Sequence, residues 1–229
     1  MLITAAMPAE VELIIPHLKK AGNLGRRPFW HGRLGKEKVW LLLTGLGMVN
    51  AAQAVTAALE NLVSCRVVLN IGCAGAYESG PGLGQAVVAE RVVLADMGVV
   101  EKHSWRDLSA IKIPLLPLTE GQKPVFNVFE CDPGLNRGFL KSCPDLTTGV
   151  FATVNQVSGD IESARVVARR WQAQLEDMET AAVAQVAALY QKPFTSVRGV
   201  SNLAGDRHLD LKIGAEAAQR AVLAYCGLN

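Results

Sequence analysis

Along the chain, short apolar runs alternate with segments whose apolar positions recur every three or four residues. Met1 to Ala6 reads as a strand. Pro8 is well placed for the first turn of a helix. Val11, Ile14, Ile15 and Leu18 would share one face of that helix, and Pro16 would kink or end it. Val39 to Thr44 reads as a second strand, followed by the glycine turn "GLGMVNA" and a helix from about Val49. In that helix Ala52, Val55, Leu59 and Leu62 have helical spacing. Arg66 to Ile71 is a short, nearly all-apolar strand leading into the small-residue turn "GCAGA", and Gln85 to Leu94 is another strand. Ile161 to Gln172 reads as a helix capped near Ser158 or Asp160. An alanine-rich helix follows over Glu179 to Gln191, then a strand over Phe194 to Val200 and a closing helix over Ala215 to Tyr225. Apolar strands alternating with helices imply a sheet covered on both faces. Glu101 to Arg137 breaks the pattern, with Pro114, Pro117, Pro124 and Pro133 and the aromatics Trp105 and Phe126. It reads as a partly ordered loop over the functional site or at a subunit contact.

Composition narrows the function classes. The 229 residues fit one domain, 1–229, and half of them are apolar, enough for a packed core. The formal charge is +2 with acids and bases mixed, which disfavours nucleic acid as a partner. Five scattered cysteines without a C-x-x-C pattern argue against a zinc site or a disulfide framework and point to a reducing, cytoplasmic setting. The N-terminus lacks a basic start, and Glu10 and Glu12 interrupt its apolar run, so no signal peptide is expected. Val39 to Leu59 carries no charge and is long enough to span a bilayer. Gly45, Gly47, Asn50 and Gln53 inside it favour strand, turn and helix, so no membrane partner is expected. The four histidines lie far apart in sequence, and neither a metal nor a cofactor is expected.

Four short stretches could carry chemistry. "GLGMVNA" follows a strand and opens a helix, as a dinucleotide fingerprint does, but Asn50 stands where its third glycine would be. What remains is either a tight turn or a backbone that can approach a ligand closely. "NIGCAGAY", Asn70 to Tyr77, offers small residues against which a flat ligand can lie; Cys73 in it is a buried thiol more readily than a nucleophile. In "LEDMETAAVAQVA" the acids Glu176, Asp177 and Glu179 precede an otherwise uncharged helix. They would either cap it or be held at its mouth to bind hydroxyls. Glu10 in "AMPAEVE" would be a surface or capping residue if taken alone.

Taken in order, "AMPAE", "GLG", "NIGCAG", "DMET" and "RGVSN" resemble the motifs of the purine nucleoside phosphorylase and nucleosidase superfamily, over nearly the whole chain outside the irregular middle. The resemblance is closest to the 5'-methylthioadenosine/S-adenosylhomocysteine nucleosidase branch, with one departure. Asn202 replaces that branch's catalytic aspartate, and "SNLAGDR" resembles the futalosine hydrolase branch, which removes hypoxanthine from futalosine in menaquinone biosynthesis. The resemblance implies a single α/β domain with a central mixed, twisted sheet, a small-molecule nucleoside substrate and a homo-oligomer. It makes Glu10 the general base that activates water and has Arg198 position Glu10, Glu179 and the water. Cys73 would adjoin the water. Met178 would pack on the ribose, and Glu179, with Asp177 beside it, would hold the ribose hydroxyls. Ala74, Gly75 and the main chain near Gln156 and Val157 would frame the base, and Ser201 would also bind the substrate. His103, Trp105, Arg106, Arg207 and His208 are candidates for the aryl carboxylate of futalosine. Bacterial phosphorylases of the superfamily carry a phosphate-binding arginine where Asn70 stands, which favours water as the nucleophile.

Asn202 has a chemical rationale. Adenine presents an amine, a donor, beside N7, and an aspartic acid can accept from it while protonating N7. Hypoxanthine presents a carbonyl there, which an ionised aspartate would oppose. Asparagine offers both donors and an acceptor, so it suits a 6-oxopurine, although it cannot itself deliver a proton. An adenine nucleosidase, a 6-oxopurine phosphorylase and a non-catalytic purine-binding protein are the alternatives. Glu10 and Arg198 argue against the last, since binding alone needs no base.

Overall fold

A computed structural model of the protein describes residues 1–102, 104–116, 124–206 and 208–228. The strands are β1 (Leu2–Ala5), β2 (Leu18–Leu24), β3 (Arg27–Leu34), β4 (Glu37–Leu43), β5 (Val68–Ala76), β6 (Ala86–Leu94), β7 (Gly98–Glu101), β8 (Ser104–Asp107), β9 (Val128–Glu130), β10 (Thr147–Thr153), β11 (Leu175–Asp177) and β12 (Phe194–Leu203). The α-helices are α1 (Met48–Asn61), α2 (Pro133–Ser142), α3 (Ile161–Trp171), α4 (Thr180–Leu189) and α5 (Leu211–Tyr225). The main sheet runs β11-β10-β6-β12-β5-β1-β4-β3-β2, with β9 added against β6 and β7-β8 forming a separate hairpin. Parallel and antiparallel pairs are mixed, as expected.

One pairing decides the architecture. β11 bonds to β10 on one side and, antiparallel, to the far end of β5 on the other. Strands β5, β12, β6, β10 and β11 therefore close on themselves, while β5, β1, β4, β3 and β2 continue as an open sheet. Closure needs curvature, and β12 supplies it with a register shift between Val200 and Asn202. Helices cover both faces. Ala54 and Ala58 of α1 join Val183 and Ala187 of α4 in one buried layer; Phe139 of α2 joins Ala218 and Val222 of α5 in the other.

Several sequence expectations need correction. The helix after Pro8 is only two single 3₁₀ turns, Pro8–Val11 and Ile15–His17, because Pro16 cannot continue a helix begun before it. Leu18 opens β2 instead of closing a helical face. "GCAGA" is not a turn but the second half of β5, and β12 runs on through Ser201 and Asn202 to Leu203. Small residues there serve closure, not chain reversal. Residues 101–137 are less irregular than their prolines suggest. They contain β8, β9 and the start of α2, where Pro133 occupies the first turn behind an Asp132 cap. Leu108, Asn127 and Phe129 are buried. Pro117 lies outside the described residues. Among the described residues no helix is long and apolar enough to cross a membrane.

α5 lies directly on β12. A Cβ on Gly199 would stand 1.9 Å from the carbonyl oxygen of Gly214, and one on Gly214 would stand 2.8 Å from that of Gly199. Gly199→Ala should therefore force the helix off the sheet and lower stability by about 1–3 kcal/mol. Urea unfolding checks this, and an unchanged midpoint would show that the two backbones have room to separate.

Candidate active site

Three strand ends converge where the open sheet meets the closed strands. β1, β5 and β12 run parallel, with Arg198 in register with Gly72 and Asn202 with Gly75. A cleft of about 600 Å³ opens there, lined by Glu10, Cys73, Ala74, Gly75, Val157, Asp177, Met178, Glu179, Arg198, Ser201 and Asn202 among others. Strand ends of this kind are where open α/β sheets bind ligands. A larger groove of about 860 Å³ lies at the opposite ends of the strands, but only Glu37 among its lining residues is acidic. It offers no facing carboxylates, so the smaller cleft is the better candidate.

Glu10 sits in the turn after β1 and is 2% exposed. Its Oε2 accepts from Ala6 N (2.9 Å) and Met7 N (3.0 Å), and its Oε1 accepts from Cys73 N (2.8 Å). The carboxylate thus bridges the ends of β1 and β5 and cannot swing away. It is no surface residue.

Arg198 is buried in the middle of β12. It donates through Nη2 to Asn70 Oδ1 (2.7 Å) and Thr180 Oγ1 (2.9 Å), and through Nη1 to Cys73 O (3.0 Å). Nη2 also lies 3.4 Å from Glu179 Oε2 and 3.6 Å from Asp177 Oδ1. Burial works against its charge, and the neighbouring carboxylates outweigh it, holding the guanidinium firmly protonated. Gly72 makes this possible. A Cβ there would lie 2.4 Å from Glu10 Oε1 and 2.6 Å from Arg198 Nη1.

The acids before α4 divide their work. Asp177 Oδ1 accepts from the main-chain N–H groups of Glu179 (2.9 Å) and Thr180 (2.8 Å) and from the Thr153 hydroxyl (3.1 Å), so Asp177 is the capping residue. Glu179 is freed from that task. Its Oε1 accepts from Gly47 N (2.8 Å), at the glycine turn before α1, and its Oε2 faces Arg198. Burial raises its pKa, against the pull of Arg198. Met178 is half-buried beside it.

Cys73 does not qualify as a nucleophile. Burial, then the Glu10 carboxylate, pushes its thiol up to about 12, and Sγ lies 3.3 Å from Leu211 O. At the far end, Ser201 Oγ donates to Asn202 Oδ1 (2.9 Å) and lies 3.3 Å from Ala74 O. Asn202 Nδ2 donates to the carbonyls of Leu203 (2.9 Å) and Asp206 (3.3 Å). The reverse assignment would set an oxygen against two carbonyl oxygens.

Of the residues expected to act on water, sugar and base, all line the cleft except Gln156, which is exposed; Val157, Ser158 and Gly159 form that wall. No described residue of 101–137 lines it. Trp105 packs edge-on against Trp171 (5.7 Å between centroids) under Arg170, and Arg106 pairs with Glu101. His103 and Arg207 lie outside the described residues. His208 is exposed beside Asp206, a residue of the cleft wall. Sequence reasoning missed the roles of Thr180 and Asn70. Asn70 is buried away from the cleft, where it accepts from Arg198 and donates to Thr4 O (3.2 Å). Among the described residues no group of three or more His, Cys, Asp or Glu could hold a metal ion.

Fold and cleft together define an α/β protein with several acidic side chains and a buried arginine around one pocket at its strand ends. The sequence model of the phosphorylase superfamily matches residues 1–226, and the chain belongs to that superfamily. A futalosine hydrolase of Thermus thermophilus is 39% identical to it over 92% of each chain. A 5'-methylthioadenosine/S-adenosylhomocysteine nucleosidase of Oceanobacillus iheyensis is 30% identical over 89% of this chain and 86% of its own. Among solved structures, the corresponding nucleosidase of Neisseria meningitidis, in complex with methylthio-immucillin-A, shares the fold with a TM-score of 0.81 at 23% identity, covering 98% of this chain and 96% of its own. A futalosine hydrolase of Helicobacter pylori does so at 0.79 and 21% identity, over 99% and 96%.

Arg198→Met should leave Asp177 and Glu179 buried without their cation and cost about 3–5 kcal/mol of stability. Urea unfolding measures this, and adding Glu179→Gln to the same chain should recover part of the loss. A cost below about 1 kcal/mol would show that other groups carry the carboxylates.

Proposed function

We propose that the protein hydrolyses the N-ribosyl bond of futalosine, releasing hypoxanthine and dehypoxanthine futalosine, as a cytoplasmic homo-oligomer in menaquinone biosynthesis. The observation that carries this reading is Asn202, an amide at the base end of a cleft whose other end holds Glu10, Glu179 and Arg198. The 39% identical relative named for the same reaction supports it.

In this mechanism Glu179 accepts from the ribose hydroxyls and Met178 packs on the sugar. As the C1'–N bond breaks, positive charge grows on the ribose, where Glu10 and Glu179 stabilise it. Water attacks C1' and passes a proton to Glu10, whose orientation is fixed by three main-chain N–H groups. Such general-base help is worth roughly 10²–10⁴-fold. The electron pair of the broken bond stays on the purine, which takes a proton from solvent at N7. Asn202 Oδ1 then accepts that N7–H. Its Nδ2 turns from Asp206 O, the longer of its two bonds at 3.3 Å, to the O6 carbonyl. The buried, uncharged Asn70 fits a water nucleophile better than phosphate.

Incubation with futalosine, methylthioadenosine and inosine, with and without phosphate, tests the proposal. Free hypoxanthine from futalosine without phosphate is expected; faster release of adenine, or ribose-1-phosphate as product, would sink it. Glu10→Gln should lower kcat by at least about 10²-fold with little change in hypoxanthine binding. Turnover near the parent rate would leave Glu10 as a brace between strands and nothing more.

Asn202→Asp should shift the ratio of kcat/KM for futalosine over its 6-amino counterpart towards the amino compound by about tenfold, since the new acid can accept from an amine and give its proton to N7, and repels O6 when ionised. An unchanged ratio at fixed pH would show that the base is selected elsewhere in the cleft.

A further inference from the structure

One carboxylate in the cleft wall has no part in that mechanism. Glu176, on β11, is 6% exposed and sits opposite Gly75, the residue that also pairs with Asn202. Its Oε1 accepts from Ser158 N (2.9 Å); its Oε2 accepts from the hydroxyls of Ser158 (2.6 Å) and Tyr77 (3.0 Å). Tyr77 is itself buried, and burial and Glu176 together raise its pKa, so the phenol stays a donor. Three donors are what a buried carboxylate needs.

The grip on Ser158 has a geometric consequence. A trans peptide holds the C=O of one residue and the N–H of the next in one plane, pointing in opposite directions. Tying Ser158 N–H to Glu176 therefore aims the Val157 C=O away from Glu176. The other end of the loop is fixed as well, because Asn155 N donates to Asp96 Oδ2 (2.5 Å). Between these anchors the N–H and C=O of Val157 have no partner among the described residues, and Val157 lines the cleft. A 6-oxopurine carries a donor, N1–H, beside O6, whereas a 6-aminopurine carries a bare acceptor at N1. A carbonyl held in one direction accepts from the first and opposes the second.

We infer that Glu176 is a positioning residue for base specificity: by clamping Ser158 it fixes the Val157 carbonyl as the acceptor for N1–H of a 6-oxopurine. The inference rests on the reading of the cleft as a purine nucleoside site.

The test compares the parent with Glu176→Leu, Glu176→Asn and Glu176→Gln. The readouts are the dissociation constants of hypoxanthine and adenine by calorimetry and kcat/KM for futalosine and its 6-amino counterpart. Leu removes the acceptor, and Asn is one methylene too short to reach Ser158. In both, the hypoxanthine-over-adenine ratio should fall by about tenfold or more. Asn carries the test should the Leu chain fail to fold. Gln can still accept from Ser158 N through its amide oxygen, while the two hydroxyls reverse roles and accept from its NH₂. It should keep the parent ratio within about threefold. Ratios in Leu and Asn within about twofold of the parent would overturn the inference. So would a collapse in Gln equal to that in Leu, since charge rather than geometry would then be acting. A parent that prefers adenine is a different failure. It overturns the 6-oxo reading of both Asn202 and Val157, whereas a parent that prefers hypoxanthine but keeps its preference in Leu and Asn overturns only the role of Glu176.

Discussion

A guanidinium at 1% exposure is the constraint on which the site is built. An unpaired charge cannot be held in a protein interior, so the surroundings of Arg198 are dictated by it. Its donors are spread over three classes of acceptor: the neutral oxygens of Asn70 and Thr180, the main-chain carbonyl of Cys73 and the carboxylates of Glu179 and Asp177. These come from β5, β11 and the start of α4, so one side chain on β12 ties together two other closed strands and the helix after them. Because neutral oxygens take its shortest bonds, the carboxylates are drawn towards it without being consumed. Glu179 keeps lone pairs for a ligand, and Gly47 N–H sets its direction.

The same crowding explains the small residues of β5. Gly72 has no room for a Cβ between Glu10 and Arg198, and a Cβ on Gly75 would press on Asn202 Nδ2 and Ala204 at 3.3–3.4 Å. Read as letters, "GCAGA" looks like a turn, because glycine and alanine weaken a strand. Here the strand is held from both sides by β12 and β11, and tertiary pairing overrides propensity. The elements readable from sequence were those with strong periodicity or apolar runs, such as α1, β6, α3 and α4. The β2-β3 hairpin and β10 escaped notice. β2 is nearly all exposed, and β10 begins with polar threonines, so neither shows the apolar run of a core strand. The segment with many prolines misled for a related reason. Proline ends a pattern, but Pro133 also begins a helix.

The site was more legible than the fold around it. Glu10, Met178, Glu179, Arg198, Ser201 and Asn202 could be placed in one pocket because ordered short motifs resemble a family, and the structure does bring them together. The division of labour among neighbours was not legible. Nothing in "EDMET" says that Asp177 caps the helix, that Glu179 turns to Gly47 and that Glu176 holds a different loop. Those roles depend on which way a short strand faces, and β11 shows only three residues of alternation. Of Gln156 and Val157, named together, only Val157 lines the cleft, since a loop has no period to count by.

Asn202 is required by the scaffold as well as by the base. Its Nδ2 meets the carbonyls of Leu203 and Asp206, and its Oδ1 meets the Ser201 hydroxyl. An ionised carboxylate at that place would set a negative oxygen against two carbonyl dipoles and could remain only by taking a proton or moving the 203–206 turn. A protonated acid is what an adenine site wants, since it can donate to N7; an amide needs no proton to satisfy the same carbonyls. The turn that follows β12 thus favours a neutral group whichever residue is present. The choice between amide and acid decides whether that neutral group can also give its proton away.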